Sequence, residues 1–133
     1  MGKKEPYATQ EEYRQRVIHY RDVPLIELGP GSKSHIISAE RITASFVVAE
    51  PNIYFASHRH EPEQIMIVID GACDTLFEGK LYHLEAGDVL IVPANAEHGN
   101  YISDRGLRMI EMFSPPRQDL VAKLEAVKRD LKK

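Results

Sequence analysis

An all-β fold, an antiparallel sandwich or barrel with a helix near each end, is the architecture this chain predicts, on three observations. Short runs rich in β-branched and aromatic residues recur between about residues 34 and 113. Glycine, proline and asparagine separate them at short, regular spacing, as turns do. Helical periodicity occurs only near the two ends.

The elements follow in order. Thr9-Gln10-Glu11-Glu12 has the form of a capping box and predicts a short helix reaching about Arg16. Val17 to Leu28 reads as extended chain broken at Pro24, and Gly29-Pro30-Gly31 as a turn. Strands are expected over Ser34 to Ile37, Thr43 to Ala49, Asn52 to His60, Gln64 to Asp70 and Cys73 to Phe77. Glu78-Gly79-Lys80 reads as a hairpin turn leading into Leu81 to Leu84, with further strands at Val89 to Val92 and Leu107 to Phe113. From Gln118 to Lys133 the period becomes helical. Leu120, Leu124, Val127 and Leu131 fall on one face, with Asp119 near the start and Lys132-Lys133 at the end, the charge order a helix dipole favours. That stripe reads as a strap packed on its own barrel or as a partner-binding element, the strap being the simpler account.

With 133 residues, the chain is expected to form one domain over residues 1–133. Lys plus Arg number 17 against 20 Asp plus Glu, so no basic field favours nucleic acid or an anionic membrane. The apolar runs Ile65 to Ile69 and Val89 to Pro93 are too short to span a bilayer, and the first residues lack a hydrophobic signal core. A cytoplasmic protein is the expectation. Cys73 has no second cysteine to pair with and reads as a small buried hydrophobe. Ile65, Ile67 and Ile69 alternate with Met66 and Val68, so both faces of that strand are apolar. A barrel interior covers only one of them, which leads to the expectation of a homodimer.

The chemistry concentrates in two segments. One reads His58-Arg59-His60-Glu61-Pro62-Glu63-Gln64 and continues to Gly71; the other runs from Gly87 through Pro93 to His98. Side chains repeat every second residue along a strand, so His58 and His60 project together and can chelate one ion. Pro62 interrupts the alternation, which leaves Glu63 and Gln64 both open as the next inward residue. Three imidazoles with an amide suit a single divalent transition metal: Zn, Ni, Co, Fe or Mn.

These segments resemble the two motifs of the cupin superfamily, here His-x-His-x(3)-Gln-x(6)-Gly and Gly-x(5)-Pro-x(4)-His. The resemblance implies a double-stranded β-helix, or jelly-roll, barrel over about residues 30–117, with a short N-terminal helix and the amphipathic C-terminal one. It implies the ligand set His58, His60, Gln64 and His98, since the family register turns Gln64 inward where most members carry Glu. Asn95 stands where the second motif usually has Gly, and Asn tolerates the left-handed turn conformation. A neutral Gln64 leaves the ion's double charge uncompensated and makes it a stronger Lewis acid toward anionic, oxygen-rich ligands.

The last expected strand adds Glu111-Met112-Phe113-Ser114-Pro115-Pro116-Arg117. Alternation places Met109, Glu111 and Phe113 on one face. The segment resembles the Asp-x-Phe-x-Pro-x-Arg tail of the pectin-degradation cupins, which act on unsaturated uronates and promote their ring-opening and ketonisation. Carried over, the resemblance makes Glu111 and Arg117 catalytic and Phe113 pocket-lining, with Glu111 one methylene longer than the usual Asp. Tyr54 shares parity with His58 and is a further substrate-binding candidate at the pocket mouth. The alternative is that Glu111 is a structural acid and Arg117 caps the strand end. The expected partner is a small acidic molecule, and the expected function a metal-dependent isomerase or tautomerase. A non-catalytic metal- and ligand-binding cupin, or a metal-dependent dioxygenase or lyase, is the competing reading.

Overall fold

Two long strands organise the molecule, and the other strands pair with one of them or extend the sheet outward from a strand that does. The computed structural model describes residues 2–133. In chain order the elements are α1 (Gln10–Arg16), a 3-10 turn at Tyr20–Asp22, β1 (Ile26–Gly29), β2 (Ser32–Ser38), β3 (Thr43–Ala49), β4 (Tyr54–His58), β5 (Glu63–Phe77), β6 (Lys80–Glu85), β7 (Val89–Val92), β8 (His98–Ser114) and α2 (Gln118–Leu131). All strand pairs are antiparallel. The order β1-β2-β3-β8-β5-β7 forms one part of the sheet around residues 107–113 of β8, and β4-β8-β5-β6 forms the other around residues 98–102. This is the all-β, jelly-roll type of architecture that the sequence predicts.

The sequence splits β5 into two strands and detects only the second half of β8; in the structure both run unbroken through the two parts of the sheet. Glycine makes the continuity possible. At Gly71 (φ 83°) any Cβ would overlap the carbonyl oxygen of Gly106 (φ 76°), so the strands cross where neither carries a side chain. The hairpin turn expected at 78–80 forms with Glu78 and Gly79 both at positive φ. Asn95 takes φ 63°, as its substitution for glycine requires.

Before β1, the chain is not simply extended. Tyr20 stacks on Phe46 with ring centroids 4.2 Å apart and meets His35 edge-on, which folds residues 20–22 into a 3-10 turn. Thr9 and Glu12 form the full capping box of α1, a helix with no buried residue.

One cluster of the core fills the space between β3, β5 and β8 with Val47, Met66, Val68, Cys73, Leu107 and Met109. A second lies under α2, where Leu120 and Leu124 pack on Ile26, Ile36 and Phe113. The strap reading of α2 therefore holds. Neither helix covers the isoleucine face of β5: Ile65, Ile69 and the neighbouring Ile91 remain exposed. No helix among the described residues is long and apolar enough to cross a membrane.

Because only the upper part of the α2 stripe is buried, its leucines differ in weight. Leu120→Ala and Leu124→Ala are each expected to destabilise the protein by about 2–5 kcal/mol in denaturant unfolding. Leu131→Ala, at a position 69% exposed, should stay within about 0.5 kcal/mol of the parent.

Candidate metal centre

Two strands and the turn that follows one of them deliver the histidines. His58 ends β4 and is paired in register with His98, the first residue of β8, while His60 follows two residues beyond β4. The Asn95 N–H donates to the His60 carbonyl at 2.8 Å, tying the turn before His98 to the histidine across from it. One potential ligand atom from each of His58, His60 and His98 lies within 4.8 Å of the others. The ring centroids are 4.5 Å apart for His58 and His98, and 4.9 Å for His60 and His98.

Each imidazole is held in the same way. The Nδ1 atoms of His58, His60 and His98 contact the carbonyl oxygens of Ala56, Pro62 and Ala96 at 3.0, 2.9 and 2.8 Å. A carbonyl only accepts, so Nδ1 carries the proton and Nε2 is left with a bare lone pair, the state a metal ligand needs. Gln64 sharpens the point. It is 1% exposed, its Nε2 donates to Glu111 Oε2 at 2.5 Å, and its Oε1 stands 3.0 Å from His60 Nε2. With the amide donor committed to Glu111 and the His60 proton committed to Pro62, two lone pairs face each other. A cation between them resolves the conflict, so this donor set fits a metal.

Burial holds the His98 imidazole down at about 4, with the neighbouring His58 and His60 adding to the effect against the Ala96 hydrogen bond. The His60 imidazole is also lowered, first by burial and then by the Arg117 guanidinium. Glu111 is affected the other way. Burial pushes its carboxyl up to about 7, while Arg117 and the Gln64 amide favour the charged form.

A cavity of about 280 Å³ opens beside the histidines, lined among others by His58, His98, Asn100, Glu111, Arg117 and Lys123. Arg117 lies over the Phe113 ring at 4.8 Å and makes a two-point contact with Asp119 at 2.9 and 2.7 Å. The sequence-predicted residues Glu111 and Arg117 thus share the cavity with His58 and His98. Two other candidates do not. Phe113 is 1% exposed and does not line the cavity; it sits in the core beneath α2, edge-on to His60 at 5.5 Å, and supports both that ring and Arg117. Tyr54 is turned away and stacks on Tyr101 at 4.4 Å. The reason is an irregularity in β4: Phe55 pairs with Asn100 and His58 with His98, so three residues advance on one strand against two on the other. That bulge breaks the alternation on which the Tyr54 assignment rested and brings Phe55 to the cavity instead. Sequence reasoning also missed Asn100, which shares parity with His98 two residues earlier, and Asp119, which appeared only as a helix-dipole charge.

Known proteins share this fold. The family model described as Cupin domain matches residues 45–113. The pectin degradation protein KdgF of Dickeya dadantii (strain 3937) is 29% identical over 102 residues, 75% of this chain and 93% of that protein. The structure of KdgF from Halomonas sp. has a TM-score of 0.68 at 27% identity, covering 73% of this chain and 92% of the other. An RmlC-like cupin from Shewanella frigidimarina NCIMB 400 has a TM-score of 0.71 at 24% identity over 78% and 96% of the two chains, which speaks for the fold alone.

Replacing His98 with Ala should lower the metal content of the purified protein, read by elemental analysis, by tenfold or more. Because the strands bury a core of their own, chelation should lower the melting temperature by only a few degrees, in proportion to the lost binding energy. Unfolding at room temperature on chelation would instead make the site a structural one.

Proposed function

The chain belongs to the cupin family, and from that premise we propose that it is a metal-dependent isomerase or tautomerase acting on a small acidic sugar derivative, an unsaturated uronate in particular. The observation that carries this reading is the position of Glu111. Its carboxyl group lines the cavity together with His58 and His98 and contacts Gln64 directly. An acid so placed, half-buried beside a cation site, can take the proton from an enol oxygen as the C=O bond forms and return it to the far carbon of the C=C bond, whose electron pair receives it, which is what ketonisation requires. The additional methylene of Glu111, relative to the Asp of the pectin-degradation pattern, is taken up in reaching the Gln64 amide.

In this reading His58, His60 and His98 hold the ion through Nε2, and Gln64 through Oε1. When bound, the metal supplies a Lewis acid that polarises a substrate oxygen. Arg117, held by Asp119 and the Phe113 ring, presents positive charge toward the same space, and Lys123 adds a second cation at the cavity wall. The volume suits one small ring rather than a polymer. The likeness to KdgF, a pectin degradation protein, supports uronates as the substrate class.

Glu111→Gln should keep the fold and the metal content, since a glutamine oxygen can still accept from Gln64. Turnover of unsaturated uronates should fall about a hundredfold or more. Parallel measurement of metal and activity decides the matter: full activity in this variant would leave Glu111 a support for Gln64 and favour the non-catalytic reading.

A further inference from the structure

We propose that Asn100 is a substrate-binding residue, a fixed hydrogen-bond donor to an oxygen of the bound acid, aimed by a buried relay from Cys73 through Thr75. The proposal rests on the reading of this cavity as the substrate site. Asn100 lies two residues beyond His98 on the same face of β8, directly opposite Thr75 on β5. It is 6% exposed, and that remainder opens on the cavity that His58, His98 and Glu111 also line.

The orientation of its amide follows from what stands behind it. Thr75 is fully buried and its hydroxyl donates to Asn100 Oδ1 at 2.5 Å. The Cys73 Sγ lies 3.7 Å from the same hydroxyl, and burial pushes the thiol up, so it keeps its proton. Sulfur is a poor acceptor. The Thr75 hydroxyl therefore receives from the thiol and gives to the carboxamide oxygen, so that the order S–H, O–H, O=C consumes the acceptor of Asn100. Its two N–H bonds have no protein partner among the described residues and face the cavity. No buried side-chain nitrogen or oxygen among the described residues lacks a hydrogen-bond partner, so this amide is in contact with the open space and not stranded behind it.

A neutral donor at this point has a particular use. It binds a carboxylate, enolate or hydroxyl oxygen without adding a positive charge that would pair with Glu111. A site built to satisfy such a group also disfavours an analogue that lacks the oxygen, because the donor is then left unpaired in a poorly solvated place.

The test is calorimetric titration of the metal-loaded protein with D-galacturonate and, separately, with malonate, with metal content and melting temperature measured on every sample. Asn100→Ala should weaken binding by roughly tenfold or more, and Asn100→Asp by more still, since it replaces the donor with a negative charge. Thr75→Val, which touches nothing in the cavity, should also weaken binding, and Thr75→Ser should restore it. Metal content should not change in any of them. Wild-type affinity in Asn100→Ala and Thr75→Val, or losses that only follow loss of metal, would overturn the proposal. The pattern appearing with malonate but not with galacturonate would uphold Asn100 and defeat the uronate reading. Turnover of unsaturated uronates that ignores Asn100→Ala would do the opposite.

Discussion

The antiparallel ladder between β5 and β8 is the constraint on which the site depends, because one register places both ends of it. Met66 stands opposite Glu111 and Gln64 opposite Phe113 near one end, while Thr75 stands opposite Asn100 and Phe77 opposite His98 near the other. A slip of one residue would turn each of these side chains to the wrong face at once. The ladder can span both parts of the sheet only because Gly71 and Gly106 let it bend where the backbones touch. Packing then holds the register: Met66, Val68 and Met109 are buried on the inner face between the positions that carry chemistry.

Two departures from the family patterns, Gln64 for Glu and Glu111 for Asp, are one feature in three dimensions. Their side chains share a hydrogen bond. A carboxylate at position 64 would set two like charges against each other across that contact, and one of them would have to hold a proton. The amide removes the conflict, supplies the donor that Glu111 needs, and leaves its own oxygen to face His60. The longer acid reaches the amide in turn.

Much of this was legible in the sequence, and what was not shares a cause. The ligand histidines, the left-handed Asn95, the α1 capping box and the α2 stripe each follow from local chemistry: spacing, turn preference, capping and period. Phe113 and Tyr54 were misplaced because parity along a strand cannot register a bulge or tell a cavity wall from the core behind it. The unbroken β5 and β8 were missed since Gly71 and Gly106 look like ordinary turn signals until the two strands are seen to cross. Asn100 carried a signal, its shared parity with His98, but its importance depends on Thr75, a residue 25 positions away.

The bulge in β4 makes the count of residues there matter more than their identity. Ala56 is exposed, and its contribution to the His58 ring comes from the backbone carbonyl, which any residue supplies. Substitutions at 56 therefore leave that hydrogen bond in place, although a larger side chain there would narrow the cavity that Ala56 lines. A single-residue deletion between Phe55 and His58 would restore regular pairing, and the strand would then have to rotate either the aromatic wall or the ligand to the outside. For this family member, length polymorphism in that short segment is a sharper constraint than sequence divergence, and a relative lacking the additional residue would have to build its cavity wall from another strand.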